Sequence, residues 1–155
     1  MVNNVYDLVT RTMEKKFPRR VAFRWVEDAT GTVREKTYAQ YARDIRRAAA
    51  WFARNIPDIE GKRVALLSKN CYEYGVNTFG AVMAGAVLVT VNQKKTWDEL
   101  SWELGLADPA LILNDGWIMA AVPSWRPPMG SACGPWMSGR IPTRVNWNGR
   151  STPMP

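Results

Sequence analysis

All 14 acidic residues of this 155-residue chain lie between Asp7 and Asp115, and none follows Trp117. Average usage would place roughly five acids in a stretch as long as Trp117 to Pro155. That stretch instead holds Arg126, Arg140, Arg144 and Arg150, four of the eight Trp, seven of the ten Pro, and no Leu. One continuous pattern of amphipathic elements cannot be drawn through two such compositions. "LNDGWIMAAVPSW", Leu113 to Trp125, is the seam, and each side has to be read separately. The pI near 9.7 partly describes the tail.

The totals bound the rest. A net charge of +7 and 46% hydrophobic residues describe one domain able to bury a real core. With no His and only Cys71 and Cys133, one chain cannot hold a Ser-His-Asp triad, a Cys-His dyad or a Cys/His zinc site. A Cys71–Cys133 disulfide has little support. The N-terminus lacks the charged and apolar regions of a secretory signal, so a cytoplasmic protein is expected. The most apolar run, Phe79 to Val91, is short for a membrane span and reads as a helix end, a glycine turn and a buried strand.

Residues before the seam follow an α/β pattern. Asn4 can cap a first helix with Val5, Leu8, Val9 and Met13 on its apolar face, which Phe17-Pro18 ends. Val21 to Lys36 reads as a hairpin around Gly31. Thr37 with Gln40 forms a capping box, and Tyr38, Tyr41, Ala42, Ile45, Ala49 and Phe52 share one face of the next helix. Val64 to Leu67 is a continuous apolar run, as in a strand covered on both faces. Asn70 with Glu73 reads as a second box, opening a helix through Met83 that Gly85 stops. A strand at Val87 to Val91, a helix capped by Thr96 and Glu99, and the strand "ALILN" complete the series. The expected fold is an incomplete doubly wound parallel sheet of strand-helix-strand units, preceded by a helix and a hairpin.

No residue in this frame is assigned a catalytic, cofactor-binding or metal-binding role. "LLSKNCYEYG" lacks the glycines of a phosphate loop, so Lys69-Asn70 reads as a helix cap with an exposed lysine. Asp98, Glu99 and Glu103 suit the start of a helix better than a metal or acid/base site. Arg43, Arg46, Arg47 and Arg54 read as a solvated face rather than an anion site. Lys94-Lys95 serves solubility, and Cys71 is a small buried hydrophobe.

The ordered series "VYDLV", "VAFRW", "KTYAQYARDIRRAAAWF", "GKRVALLSKNCYEYGVNTFGAVMAGAVLVTVN" and "TWDELSWEL" resembles the opening segment of adenylate-forming acyl-CoA synthetases, the AMP-dependent synthetase and ligase family. The resemblance covers Val2 to about Asn114, and "KNCYEY" with "DELSWEL" leans towards fatty acyl-CoA ligases. It implies ATP, Mg2+ and coenzyme A as cofactors and a fatty acid as substrate, joined through an acyl-adenylate. The family's phosphate loop, its aromatic-Gly-x-Thr-Glu segment, its ribose-binding aspartate and its C-terminal lysine have no counterpart in Trp117 to Pro155. The chain alone is therefore expected to be inactive.

Residues 1–115 are accordingly read as a truncated adenylate-forming domain, and 116–155 as an irregular Trp/Pro/Arg-rich tail, disordered or out of frame. Trp has the single codon TGG, so a frame starting one base earlier reads NTG there, encoding Leu, Val or Met. The next codon then begins with G. After Trp117, Trp136 and Trp147 it must encode Asp, Asp and Glu, given the Ile118, Met137 and Asn148 that follow. One event explains the excess Trp and the missing Leu and acids. Two rivals stay open: a ligase completed by a second chain, and a basic binding protein using the tail. Nucleic acid is the less favoured partner, because Pro and Gly dominate the tail and no RNA-binding fold is visible.

Overall fold

The computed structural model describes residues 2–27 and 30–114. Expectations about the hairpin tip at 28–29, Cys133 and the tail lie outside the described residues.

Asn4 does cap the first helix, accepting a hydrogen bond from the Asp7 N–H at 2.8 Å. After α1 (Val5–Asp7) the winding widens into a π-helical stretch, Leu8–Lys16, closed by Phe17 N–H to the Thr12 carbonyl at 3.0 Å. A helix of uniform pitch was expected. The wider turn keeps residues four apart in line, so Val9 and Met13 are buried while Val5 and Leu8 pack alongside.

Strands β1 (Val21–Glu27) and β2 (Thr32–Thr37) form an antiparallel hairpin with an irregularity between Val21 and Phe23. The hairpin is a sheet of its own. Helix α2 (Tyr38–Asn55) carries the complete Thr37/Gln40 capping box and buries Tyr41, Ala42, Ile45, Ala48, Ala49 and Phe52. Its inward face is the one that the apolar spacing predicts.

Three parallel strands make the second sheet: β3 (Arg63–Leu67), β4 (Val87–Thr90) and β5 (Leu111–Asn114), in the order β4-β3-β5. Helix α3 (Tyr72–Met83) links β3 to β4, and α4 (Trp97–Ala107) links β4 to β5. The chain thus winds outward from β3 to one side and returns across it to the other, as a doubly wound α/β sheet does. Strand alternation sorts the side chains cleanly. Val64, Leu88, Leu111 and Leu113 join the cluster under α2, α3 and the N-terminal helix. Ala65, Leu67, Val89 and Ile112 face the other way, onto Leu100 and Leu104 of α4.

The expected Asn70/Glu73 capping box does not form. Cys71, with φ −142° and ψ 175°, is the N-cap, and its side chain makes no capping bond. Asn70 therefore falls one position before the cap and Glu73 one position short of the place a box requires. At the other end the chain stops as expected, with Gly85 at φ +94°. The Thr96/Glu99 box is complete. Among the described residues, no helix is long and apolar enough to cross a membrane.

Candidate functional site

In doubly wound sheets, ligands meet the carboxyl ends of the strands where the winding reverses. Here that point lies between β3 and β5, where Leu67 and Asn114 are register partners. Ser68 to Cys71 leave the end of β3 there, and Asn92 to Thr96 leave the end of β4 beside it.

The β3–α3 loop is held from behind by an aromatic cluster. Tyr72, the first residue of α3, stacks on Trp25 of the hairpin with ring centroids 5.4 Å apart and planes 9° from parallel. Its hydroxyl donates to Asp44 Oδ2 of α2 at 2.9 Å, and the Lys36 ammonium lies 5.5 Å from its ring centroid. Burial, with the adjacent Asp44 carboxylate adding to it, keeps the phenol protonated well above its ordinary range. Phe23 meets both Tyr41 and Tyr72 edge-on. Hairpin, α2 and α3 thereby fix where α3 begins, a role for Asp44 and Tyr72 that local patterning did not reveal. The available signal was Arg43-Asp44 followed by Arg47, cations gathered around one acid.

The basic face of α2 is largely compensated. Arg46 makes a bidentate pair with Glu14, at 2.7 and 2.9 Å, and its hydrogen bond holds the Glu14 carboxyl below the usual range. Arg43, Arg47 and Lys36 lie 3.7 to 3.9 Å from Asp44. Arg54 is exposed. Arg46 is thus a structural tie rather than part of a purely solvated face.

The loops do not form a phosphate cradle. Such a cradle needs glycines that let backbone N–H groups approach the ligand. Ser68 to Cys71 contain none, the Ser68 hydroxyl donates to the Lys69 carbonyl at 3.0 Å, and Glu73 adds negative charge to the first turn of α3. Lys69 and Asn70 are exposed. Cys71 is only partly buried, 4.0 Å from Ser68 Oγ, and so is not the buried hydrophobe expected. Gly80 serves helix packing: a Cβ there would lie 2.6 Å from Ala48 Cβ.

The acids of α4 have local work. Glu99 accepts from the Thr96 N–H and hydroxyl, which lower its pKa. Glu103 pairs with Lys95, so that lysine does more than favour solubility. Asp98 is exposed. Among the described residues, no group of three His, Cys, Asp or Glu could hold a metal ion. The described residues do not fit ATP phosphates or their metal; their arrangement stiffens and positions two loops at the sheet edge.

Comparison with known proteins gives this frame a context. The sequence profile of the AMP-binding enzyme family matches residues 10–133, continuing past the seam near 115. Crotonobetaine/carnitine–CoA ligase of Salmonella paratyphi A is 32% identical over 88 residues, which are 57% of this chain and 17% of the ligase. The chain therefore spans about a sixth of the length of the curated relatives it matches. A fatty acyl-CoA synthetase of Mycobacterium tuberculosis superposes with a TM-score of 0.65 at 26% identity, covering 83% of this chain and 25% of that one. NpsA of Klebsiella oxytoca, solved with 3-hydroxyanthranilyl-AMSN, shares the fold, with a TM-score of 0.66 at 23% identity and coverage of 85% and 24%.

Proposed function

Because the chain belongs to the AMP-binding enzyme family, we propose that residues 1 to about 115 are the opening part of an adenylate-forming acyl-CoA synthetase domain. The observation that carries this reading is the family match across residues 10–133. The proposed parent reaction joins a carboxylate to ATP as an acyl-adenylate, which coenzyme A then captures. Fatty acids are the proposed substrate class, supported by the fatty acyl-CoA synthetase relative. ATP, Mg2+ and coenzyme A are the cofactors of that parent reaction. The part played by the described residues is architectural: they set the sheet edge against which the reacting groups of the complete enzyme assemble.

On this reading the 155-residue chain has no ligase activity alone, because it contains no Gly-rich phosphate loop to orient and neutralise the transferring group. Pyrophosphate exchange with ATP, Mg2+ and a series of carboxylic acids tests this. No exchange above background is expected; acid-dependent exchange by the pure chain would overturn it. Exchange that appears only with a second polypeptide carrying the remaining family segments would identify a split ligase.

The change in composition at the seam supports an out-of-frame origin for the tail, while the family match that runs on to residue 133 weighs against it for residues 116–133. Translating the neighbouring frames from the codons for Leu113 to Trp125 decides it. Continuation into a Gly-rich phosphate loop is the expected result, and the absence of any such continuation contradicts it.

A further inference from the structure

Helix α4 carries the two most exposed large apolar side chains among the described residues, Trp102 and Leu106. Lying one helical turn apart, they share one side of the helix. Leu100 and Leu104 are buried on the opposite side, in the cluster with Ala65, Leu67 and Val91. From its N-terminal end the outward stripe runs Asp98, Trp102, Gly105 and Leu106, all exposed. A single exposed apolar residue needs no explanation, but adjoining ones rimmed by polar groups mark a contact surface.

The two ends of the stripe differ, and the differences answer one another. Trp102 is a large knob. Gly105, on the same outer side, is a notch, because a Cβ there would meet nothing within 4 Å. The N-terminal end is acidic, with Asp98 and Glu99 in the first turn. At the C-terminal end sits the exposed Arg63, which shares the strand parity of Ala65 and Leu67 and so lies on the α4 side of the sheet. Its guanidinium donates to the Ala107 carbonyl at 3.0 Å and carries further N–H donors that suit a carboxylate. Asp108, the C-cap, shares a side with Ser101 and falls beside the stripe rather than on it. Glu103, at the flank, is paired with Lys95.

We propose that this face pairs with the same face of a second copy of the chain, the two α4 helices running antiparallel about a two-fold axis. An isologous contact of that kind needs a surface that complements itself. Trp102 of each copy fills the notch at Gly105 of the other and covers its Leu106, while the acidic first turn of each lies towards Arg63 of the other. Antiparallel helices also set each positive dipole end beside a negative one. The acids next to Trp102 disfavour an anionic bilayer or a nucleic acid, either of which a basic rim would suit. One pair of short helices falls below the roughly 1,200 Å² of a stable interface, so the dimer is weak and the dilute chain leaves α4 uncovered. The inference does not rest on the proposed ligase reading, and its test does not use ligase activity.

Sedimentation equilibrium of the whole chain over a wide concentration range is the test. Reversible dimerisation is expected at the concentrated end. Trp102→Ala should weaken it by about thirtyfold or more, the effect of truncating a central interface Trp, with an unchanged circular dichroism spectrum. Gly105→Gln is the sharper variant. It has room in the single chain and raises helix propensity, so α4 should be no less stable while dimerisation falls. Asp98→Arg and Arg63→Asp should each weaken association roughly threefold to tenfold at low salt, because a surface pair is reversed twice in every dimer. Combining the two exchanges the charges and should recover most of the loss. The proposal is overturned by a chain that stays monomeric, by dimerisation that survives both Trp102→Ala and Gly105→Gln, or by a double charge variant no better than either single one. Changing Trp117, Trp125, Trp136 and Trp147 to Ala is the control and should retain the dimer; association lost there but kept in Trp102→Ala would assign it to the tail. A monomeric chain that binds a polypeptide carrying the remaining family segments, and loses that binding with Trp102→Ala, would give the face to that partner instead.

Discussion

The two faces of the parallel sheet are built unequally. One lies under α2, α3 and the N-terminal helix, in a cluster that runs from Val9 through Ile45 and Phe52 to Val64 and Leu111. The other is covered by α4, with Ala65, Leu67, Val91, Leu100 and Leu104 as its buried residues. Helix α4 also turns apolar groups outward: Trp102 is 69% and Leu106 73% exposed. The same alternating strands serve both faces, so the difference lies in the helices rather than the sheet. It teaches that, among the described residues, one side of the sheet is a closed core while the other is covered by a single helix.

Large-to-small substitutions break this comparison most directly. Phe52→Ala, at a position with no exposure, should cost about 3–5 kcal/mol and leave little folded protein in a urea titration. Leu104→Ala, across the sheet, should cost nearer 2 kcal/mol, at the low end for such truncations, because its surroundings can relax towards solvent. Equal losses would remove the distinction.

Within the closed face, Gly80→Ala sharpens the account. The added Cβ would sit 2.6 Å from Ala48 Cβ, so α2 and α3 must separate, at a cost of about 1–3 kcal/mol. A thermal melt no lower than that of the parent would show that this contact is looser than described.

Acid should weaken the tie between the N-terminal helix and α2. Arg46 lowers the Glu14 pKa in the folded chain, so the contribution is fully present above the unfolded Glu pKa of about 4.3 and disappears as pH falls through the lower folded value. Surface pairs contribute no more than about 1 kcal/mol, and Glu14→Gln should match the parent only at the acid end. A difference that is independent of pH would mean that packing, not charge, is what the substitution removes.

The smallest effect is expected at Tyr41, whose buried hydroxyl has no hydrogen-bond partner among the described residues. Tyr41→Phe should leave stability unchanged or raise it by up to about 1 kcal/mol, since the ring packing remains and an unsatisfied polar atom is removed. A clear loss on denaturant titration would reveal a bond for that hydroxyl.

Legibility in the sequence followed the range of the interactions. The Thr37/Gln40 and Thr96/Glu99 caps were readable because each is complete within four residues. The continuous apolar run at Val64 to Leu67 marked β3 as the strand covered on both sides. Asn70/Glu73 offered the same local pattern and failed, because the start of α3 is fixed through Tyr72 by Asp44 and Trp25, far away in the chain. The π winding leaves no signature in a spacing that also suits an ordinary helix. At the candidate site, the lack of glycines in Ser68 to Cys71 was plain beforehand. The compensation of Arg46 by Glu14, 32 residues away, was not, because it exists only once two helices pack.

Hydrogen exchange of the whole chain, resolved by peptide, tests the central claim most directly. Segments whose contacts can open locally exchange before the global unfolding limit. The account predicts that α2, α3 and β3 exchange together as the slowest unit, and that α4 opens ahead of them. Protection of α4 equal to that of α2 would contradict it, showing both faces of the sheet to be equally closed.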